Sequence, residues 1–246
     1  MERTTDRRNI PLAGYVALVV AGGVAAGWAS AWSTPAPETL ALLFWLLANV
    51  LCEILWLPAP AGRGYLSMGT ASNFATLLVL PAGPAVAVTA LAGACIDAVS
   101  RRRKWYQVLF NMGMCAIAVA SASHVFSALG GSRAGPDAIV SPLNAGPLAA
   151  AALVFFLANT WLVAGVVSLH QGRAFIEVWR TQFAFNFALL GTGVLLVLGF
   201  FFAILFLTWG YMSAFVAAAT AYFVRDAYSR FVREVESGPG TLGASS

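Results

Sequence analysis

Long runs of apolar residues, separated by short polar loops, constrain the fold of this chain more than any other feature. The run Leu12–Trp32 is long enough to cross the roughly 30 Å hydrocarbon core of a bilayer, and Phe183–Val224 is long enough to cross it twice. Lipid offers no hydrogen-bond partner to an exposed backbone, and the sequence lacks the alternation of a membrane β-barrel. The sequence therefore predicts an all-α fold, a polytopic transmembrane helical bundle.

The apolar runs predict about eight spans. They are Leu12–Trp32, Leu40–Leu57, Tyr65–Leu80, a fourth that follows the Pro81–Pro84 turn and ends near Ser100, Trp105–Leu129, Pro147–Leu169, and two that divide Phe183–Val224 at Thr208–Gly210. The third and fourth spans are short. If they form a re-entrant pair, the chain crosses six times and the sidedness is unchanged.

The basic residues predict the orientation of these spans, because cytoplasmic loops carry an excess of Lys and Arg. With the N-terminus in the cytoplasm, all but one of the 14 basic residues fall on the cytoplasmic side, and Arg133 falls on the other. The cytoplasmic set is Arg3, Arg7, Arg8, Arg63, Arg101, Arg102, Arg103, Lys104, Arg173, Arg180, Arg225, Arg230 and Arg233. Both termini are therefore predicted to be cytoplasmic.

These boundaries divide the chain into four segments. Residues 1–11 form a cytoplasmic N-terminal segment and residues 12–224 the transmembrane domain. Charged and aromatic residues are interspersed over 225–236, which predicts that the last helix continues out of the bilayer as a cytoplasmic juxtamembrane helix. The Gly, Pro and Ser residues of 237–246 predict a disordered tail.

Composition narrows the classes of function. Hydrophobic residues make up 60% of the chain and charged residues 10%, as expected of a multi-pass membrane protein. The net charge of +4 comes from short loops, so nucleic-acid binding is not expected. The three cysteines lie in apolar runs and are predicted to be free thiols. The sequence contains no phosphate-binding loop, nucleophile elbow or metal-ligand spacing, so we expect neither an enzyme nor a cofactor or metal site.

Ionisable residues inside a membrane are costly, and they are the first candidates for function. Glu53 and Asp97 lie near the cytoplasmic ends of the second and fourth predicted spans, and Asn111 and Asn186 begin the fifth and seventh. These residues predict a polar layer one or two helical turns below the cytoplasmic surface. Further asparagines, Asn73 and Asn159, extend polarity toward the bilayer centre. The layer has two interpretations: contact with a ligand or ion, or structural pairing of the carboxylates with Arg63 and the Arg101–Lys104 cluster.

The run Arg101, Arg102, Arg103 and Lys104 is the densest basic cluster in the sequence. Its main predicted role is to fix topology. An alternative role is to attract anionic lipid, at about 1 kcal/mol per basic residue near the surface.

Several short motifs resemble a bacterial family. They are Glu53-Ile54-Leu55, Gly64-Tyr65-Leu66-Ser67, Leu80-Pro81-Ala82-Gly83-Pro84 with the Ala/Gly-rich helix after it, and the stretch from Arg101 to Asn111. Together they are similar to the MASE-like membrane sensor modules found N-terminal to HD-GYP, GGDEF or histidine-kinase domains, over about residues 40–235. Glu53, Ser67, Asp97 and Asn111 occupy the matching motif positions. The resemblance implies an input module in a bacterial plasma membrane, acting on an output domain that this sequence does not include.

Two functions follow as expectations. The first is a sensory module that passes a membrane or periplasmic stimulus to a cytoplasmic signalling partner through its last helix. The alternative is a small-solute carrier or the substrate-binding subunit of a transporter, because the Pro81–Pro84 turn and the small-residue helix also resemble energy-coupling-factor subunits. The Gly23–Gly27 pair favours close helix packing, either within the chain or in a homodimer.

Overall fold

The computed structural model describes residues 6–31, 37–58, 65–184 and 187–236. Over these ranges the chain is helical apart from one small hairpin. The helices are α1 Asp6–Ala31, α2 Thr39–Ile54, α3 Gly69–Val79, α4 Ala82–Val99, α5 Trp105–Ala128, α6 Pro136–Ile139, α7 Ala145–Gln171, α8 Phe175–Trp179, α9 Phe187–Trp209 and α10 Ser213–Glu236. Strand β1 (Trp56–Pro58) pairs antiparallel with β2 (Tyr65–Ser67), Leu57 lying opposite Leu66.

Five helical segments in the described part of the chain are long and apolar enough to cross a membrane. They are Pro11–Ala31, Ala82–Val99, Trp105–Ala128, Pro142–Gln171 and the kinked run Leu189–Phe231. The expectation of a helical, multi-pass architecture is confirmed at this level. The count of eight spans and the orientation of the termini stay predictions.

The third predicted span is wrong in its first residues. Tyr65–Ser67 forms β2, and α3 begins only at Gly69. At 11 residues, α3 is about 16 Å long, roughly half the bilayer core. The second predicted span also ends early, because the hairpin begins directly after α2. Leu55 has an extended backbone, and its carbonyl accepts a hydrogen bond from Met68 N at 3.1 Å. Both strands consist mostly of apolar residues, Trp56 and Leu57 before the segment with Arg63 and Tyr65 and Leu66 after it, so hydropathy could not distinguish them from helix ends.

The ends of two long helices bear on the predicted boundaries. Helix α1 begins at Asp6 rather than Leu12 and contains Pro11. Helix α10 runs unbroken from Ser213 to Glu236, in agreement with the prediction that the last helix continues past residue 224. That its end lies in the cytoplasm stays a prediction. The predicted break between the last two helices is present, because Gly210 adopts a left-handed φ of +57° after α9 ends. The predicted tail, residues 237–246, lies outside the described residues.

The core surrounds α3, the short central helix. Its side chains at Ala71, Ala75, Leu77 and Leu78 have no exposed surface. Helices α2, α4 and α9 pack around it, and α5 and α7 extend the core beyond α4. At the α9 side, Gly199 is necessary because an added Cβ would lie 2.4 Å from the carbonyl oxygen of Ala71.

The Gly23–Gly27 pair packs within the chain. A Cβ on Gly23 would lie 2.4 Å from the Cα of Gly113 in α5, so the two backbones are in direct contact. Gly27 faces Val86 of α4 at 3.7 Å. Of the two interpretations of this motif, the structure supports packing inside the bundle, and it leaves Gly23 buried.

Arg133 forms hydrogen bonds at the C-terminal end of α3, the end that lies away from the hairpin. Its Nε donates to the Leu77 carbonyl at 3.0 Å, and its two Nη atoms donate to Ser123 and Ser127 Oγ at 2.9 Å each. The guanidinium also lies 4.6 Å from the centre of the Phe126 ring. The last carbonyls of a helix lack intrahelical partners, so this arginine satisfies one of them where α3 ends inside the protein.

Candidate functional site

Arg101 lies at the centre of a buried ionic network that joins α2, α4 and the turn after α4. Its Nη2 is 2.9 Å from Glu53 Oε2, and its Nη1 is 2.9 Å from Asp97 Oδ1. The same Nη2 donates to the backbone carbonyl of Glu53 at 2.9 Å. Arg103 approaches from the rim, with Nε 3.2 Å from Asp97 Oδ1. Two carboxylates and two guanidinium groups therefore balance within one cluster.

The carboxylates are almost fully removed from solvent. The Glu53 side chain is 11% exposed and that of Asp97 is 1% exposed. Burying such charges is expensive, and the mutual attraction at short range offsets that cost when each oxygen also accepts hydrogen bonds. Asn111 supplies one of these bonds, because its Nδ2 donates to Asp97 Oδ2.

The hairpin completes the network from the other side. Ser67, the last residue of β2, donates from Oγ to Glu53 Oε2 at 3.0 Å, and the Gly69 N–H donates to the same Oγ at 3.0 Å. Gly69 allows this approach, since an added Cβ would lie 1.9 Å from Glu53 Oε1. We refer to Glu53, Ser67, Asp97, Arg101, Arg103 and Asn111 as the ionic network.

A cavity of about 1230 Å³ adjoins the ionic network and is bordered by α1, α3, α4, α5 and α7. The volume exceeds the 300–1,000 Å³ of a typical small-molecule site. Its α1 wall is entirely apolar, and most of its polar lining comes from the network and from asparagines nearby. The lining also includes Trp105 and Gln107 at the start of α5, and His170 and Gln171 at the end of α7.

The structure brings together six of the seven candidate residues. Glu53, Ser67, Asn73, Asp97, Asn111 and Asn159 all line this one cavity. The seventh candidate, Asn186, lies outside the described residues, as does Arg63. That the six contact a ligand stays a prediction, because their shared cavity shows proximity and access and no bound molecule.

The network lies at the ends of α2 and α4. Glu53 is followed by only one more residue of α2, and Asp97 by two more residues of α4. Asn111, which bonds to Asp97, lies six residues after the start of α5, about 9 Å along that helix. Phe74 in α3 contacts Phe155 in α7, with ring centres 6.0 Å apart. The depth of the network below a membrane surface stays a prediction.

Two cavity asparagines have unused hydrogen-bonding capacity. Among the described residues, neither the Asn73 nor the Asn159 side chain has a hydrogen-bond partner, although Asn73 is only 7% exposed. Each lies within one helical turn of the Phe74–Phe155 contact. Asn73 is buried, Asn159 is partly buried and both line the cavity, so their amides are available to hydrogen-bond a molecule there.

The four basic residues predicted to set topology have different environments. Arg101 is 12% exposed and bridges the two buried carboxylates, which is the structural pairing considered above and not a lipid contact. Arg103 is 41% exposed at the cavity rim. Arg102 has a left-handed φ of +47°, and the Lys104 N–H donates to Gln107 Oε1 at 3.2 Å at the start of α5. Lipid attraction therefore stays a prediction for Arg102, Arg103 and Lys104.

The donor set of the site suits hydrogen bonding better than metal binding. Within the described ranges, no group of three or more His, Cys, Asp or Glu side chains is placed to hold a metal ion. The carboxylates are already occupied by guanidinium and amide donors. The arrangement can offer amide and hydroxyl groups to a ligand.

Sequence reasoning missed the apolar half of the site. The α1 wall consists of small and branched residues at helical spacing, and such a face is indistinguishable in sequence from one that contacts lipid. Thr70 also lines the cavity, one turn before Asn73. Its signal in the sequence was the cluster Ser67, Thr70, Ser72 and Asn73, which is unusually polar for a membrane segment.

Comparison of the chain with protein-family models, with curated proteins and with solved structures finds no match.

Proposed function

We propose that this protein is a membrane-embedded sensory module. A molecule in the cavity changes the pairing within the ionic network, the hairpin moves with the network, and α10 carries the change to a cytoplasmic signalling partner. The resemblance to bacterial sensor modules suggested this class of protein, and the arrangement of the hairpin gives it a physical route.

The hairpin is the observation that carries the proposal. Its second strand supplies Ser67 to the ionic network, and its first strand runs beside α10. A change in the Glu53–Arg101 pair therefore reaches α10 through two paired strands of three residues each. Coupling between sites requires an element that both sites bias, and the hairpin is placed to be that element.

Helix α10 has the character expected of an output element. Val216, Ala217 and Tyr228 pack against the core, while Phe223 and Phe231 are more than half exposed. Charged residues occupy its second half, including an Arg230–Asp226 pair at 2.8 Å. Exposed aromatics next to charges provide a surface that a protein partner can recognise.

The test measures whether α10 follows the network. Spin labels at Ala227→Cys and Val140→Cys, with the native cysteines replaced, report one distance by pulsed electron resonance in lipid nanodiscs. We expect Glu53→Gln to shift that distance by about 2 Å or more, the size of a typical helix displacement in a switching protein. The matched control is Arg173→Ala, which removes an exposed ion pair to Glu177. An unchanged distance in a folded Glu53→Gln variant would refute the relay.

A substrate-binding membrane subunit is the second candidate function. The size of the cavity favours it, as does α1, whose span is only 11% buried and has a face free to dock a second subunit. Deletion of residues 225–236 separates the two functions. A carrier keeps ligand uptake after this deletion, whereas a sensor keeps binding and loses its output.

A further inference from the structure

We propose that the cavity binds an uncharged amphiphile: an elongated hydrocarbon that carries a carbonyl or hydroxyl group, held by Asn73 and Asn159. This inference rests on the proposed function in taking the cavity as the input site, and it adds the chemical class of the molecule that enters.

The first support is the apolar wall formed by α1. Six of its residues face the cavity with spacing of one helical face, and none has a polar side chain: Leu12, Ala13, Val16, Ala17, Val20 and Ala21. Helices α7 and α5 add further apolar residues to this lining: Val163, Val166 and Val167 from α7, and Leu109, Phe110 and Met114 from α5. A hydrophilic solute would gain nothing from these surfaces, whereas each buried methylene group of a hydrocarbon gains about 0.8 kcal/mol.

The second support is the distance over which the cavity lining extends along the helices. The α1 wall from Leu12 to Ala21 is about 14 Å long, and Asn159 is about 18 Å from Gln171 along α7. An alkyl chain aligned with these helices can therefore contact the lining over at least about 14 Å.

The third support is the chemistry of the polar end. An amide side chain both donates and accepts hydrogen bonds and has no charge. Asn73 and Asn159 are therefore suited to a carbonyl or hydroxyl group, and neither has another partner in the described part of the structure. The charges nearby are already paired, since Arg101 and Arg103 face Glu53 and Asp97. A charged head group would bury a charge without a counterion, which is strongly disfavoured.

The experiment uses three photoactivatable probes with one alkyl chain and different head groups. The full-length protein, in phosphatidylcholine nanodiscs, is labelled with a diazirine derivative of hexadecanol, of hexadecanoate or of hexadecylamine, and labelled peptides are identified by mass spectrometry. We expect saturable labelling by the alcohol on the α1, α5 and α7 walls, competed by unlabelled hexadecanol. The two charged probes should label these walls at least about tenfold less, because each would bury an unpaired charge.

Variants test the amide contacts. Replacement of Asn73 or Asn159 by Leu should reduce competable labelling by the alcohol, by about tenfold when both are changed. Ala17→Phe fills the α1 wall and should reduce it independently of the amides. Ser121→Ala is the control, since Ser121 bonds to the carbonyls of its own helix and does not line the cavity. If the Asn73→Leu variant does not fold, Asn159→Leu alone tests the amide contacts.

The outcomes separate this inference from the proposed function. Labelling that is equal for all three head groups, or unchanged by Asn159→Leu, would overturn the amphiphile. If the alcohol labels the cavity but does not shift the α10 distance, the ligand class holds and the sensory relay fails. If Glu53→Gln shifts α10 while the alcohol does not bind, the relay holds and the ligand class fails.

Discussion

Two partly buried arginines lie near opposite ends of α3, and their environments differ. Arg101, beside the hairpin, bonds to two carboxylates and adjoins the large cavity. Arg133, at the other end, bonds to one backbone carbonyl and two serine hydroxyls and lies over an aromatic ring. Burial lowers the pKa of Arg133 to about 10, which leaves it a cation at neutral pH.

This difference predicts that the two ends of α3 respond differently when a ligand binds. The neutral partners of Arg133 belong to helix α5 and to the end of α3, so they have little reason to rearrange when a ligand binds elsewhere. The carboxylates around Arg101 depend on charge balance, and a new hydrogen bond or a change of water access beside them alters that balance. We therefore expect the contacts of Arg133 to stay unchanged when a ligand binds, and we call this end of α3 the clamp. We expect the contacts of Arg101 to change, and we call that end the responsive end.

Removal of the Arg101 cation should have the largest effect. Arg101→Met removes the guanidinium group that bridges the buried Glu53 and Asp97 carboxylates and leaves Asp97 with Arg103 at the rim, so we expect a loss of about 3–5 kcal/mol in the free energy of unfolding. Equilibrium unfolding in mixed micelles measures this loss. Combination with Asp97→Asn should recover part of it, because one of the two buried negative charges is then gone. A double variant no more stable than the single one would contradict the charge-balance account.

Arg133→Met should cost less, about 2–3 kcal/mol, because it removes hydrogen bonds and leaves neutral groups behind rather than charges. Arg133→Lys should recover little, since an ammonium cannot reach three acceptors in this fork geometry. The same unfolding assay applies, together with the α10 distance described above. A clamp at this end predicts lower stability with no change in that distance.

Gly69→Ala tests whether the responsive end depends on close approach. The added Cβ would lie 1.9 Å from Glu53 Oε1, so the carboxylate must move, and we expect a loss of about 1–3 kcal/mol. Gly93→Ala is the matched control, because nothing lies within 4 Å of its added Cβ although Gly93 also borders the cavity. Equal midpoints of thermal unfolding for the two variants would show that the close approach of Gly69 to Glu53 does not contribute to stability.

The smallest expected effects come from single hydroxyl groups at the two ends. Ser67→Ala removes a donor to a buried carboxylate and should cost about 1–2 kcal/mol. Ser127→Ala removes an acceptor at an exposed bond to Arg133 and should cost less than about 1 kcal/mol. A reversed order in the same unfolding assay would show that the two ends do not differ in the way proposed.

Sequence patterns predicted the features that depend on local composition. The apolar runs located the long helices, and the Trp209–Gly210 break followed from one glycine between them. Intramembrane polarity identified Glu53 and Asp97, and their structural pairing with Arg101 was one of the two interpretations of the layer. The sequence predicts these features because the free energy of placing a residue in lipid depends mainly on the type of that residue.

The remaining features depend on relations between helices. The hairpin, the shortness of α3 and the assembly of the ionic network depend on contacts between segments that are distant in the sequence. The bond from Arg133 to the Leu77 carbonyl connects residues 56 positions apart in the chain. The α1 wall was hidden for a related reason, since apolar side chains look alike whether they contact lipid, a core or a cavity.

The turn at Gly210 has a mechanical consequence for α10. The 24 residues from Ser213 to Glu236 form one rod about 36 Å long, joined to α9 at this turn and running beside β1. A tilt of this rod by about 5° about the turn moves its far end by about 3 Å, and Tyr228, which packs against the core, must then change its contacts. Under the proposed sensory function, a movement of the hairpin therefore reaches the end of α10 as the tilt of one continuous helix.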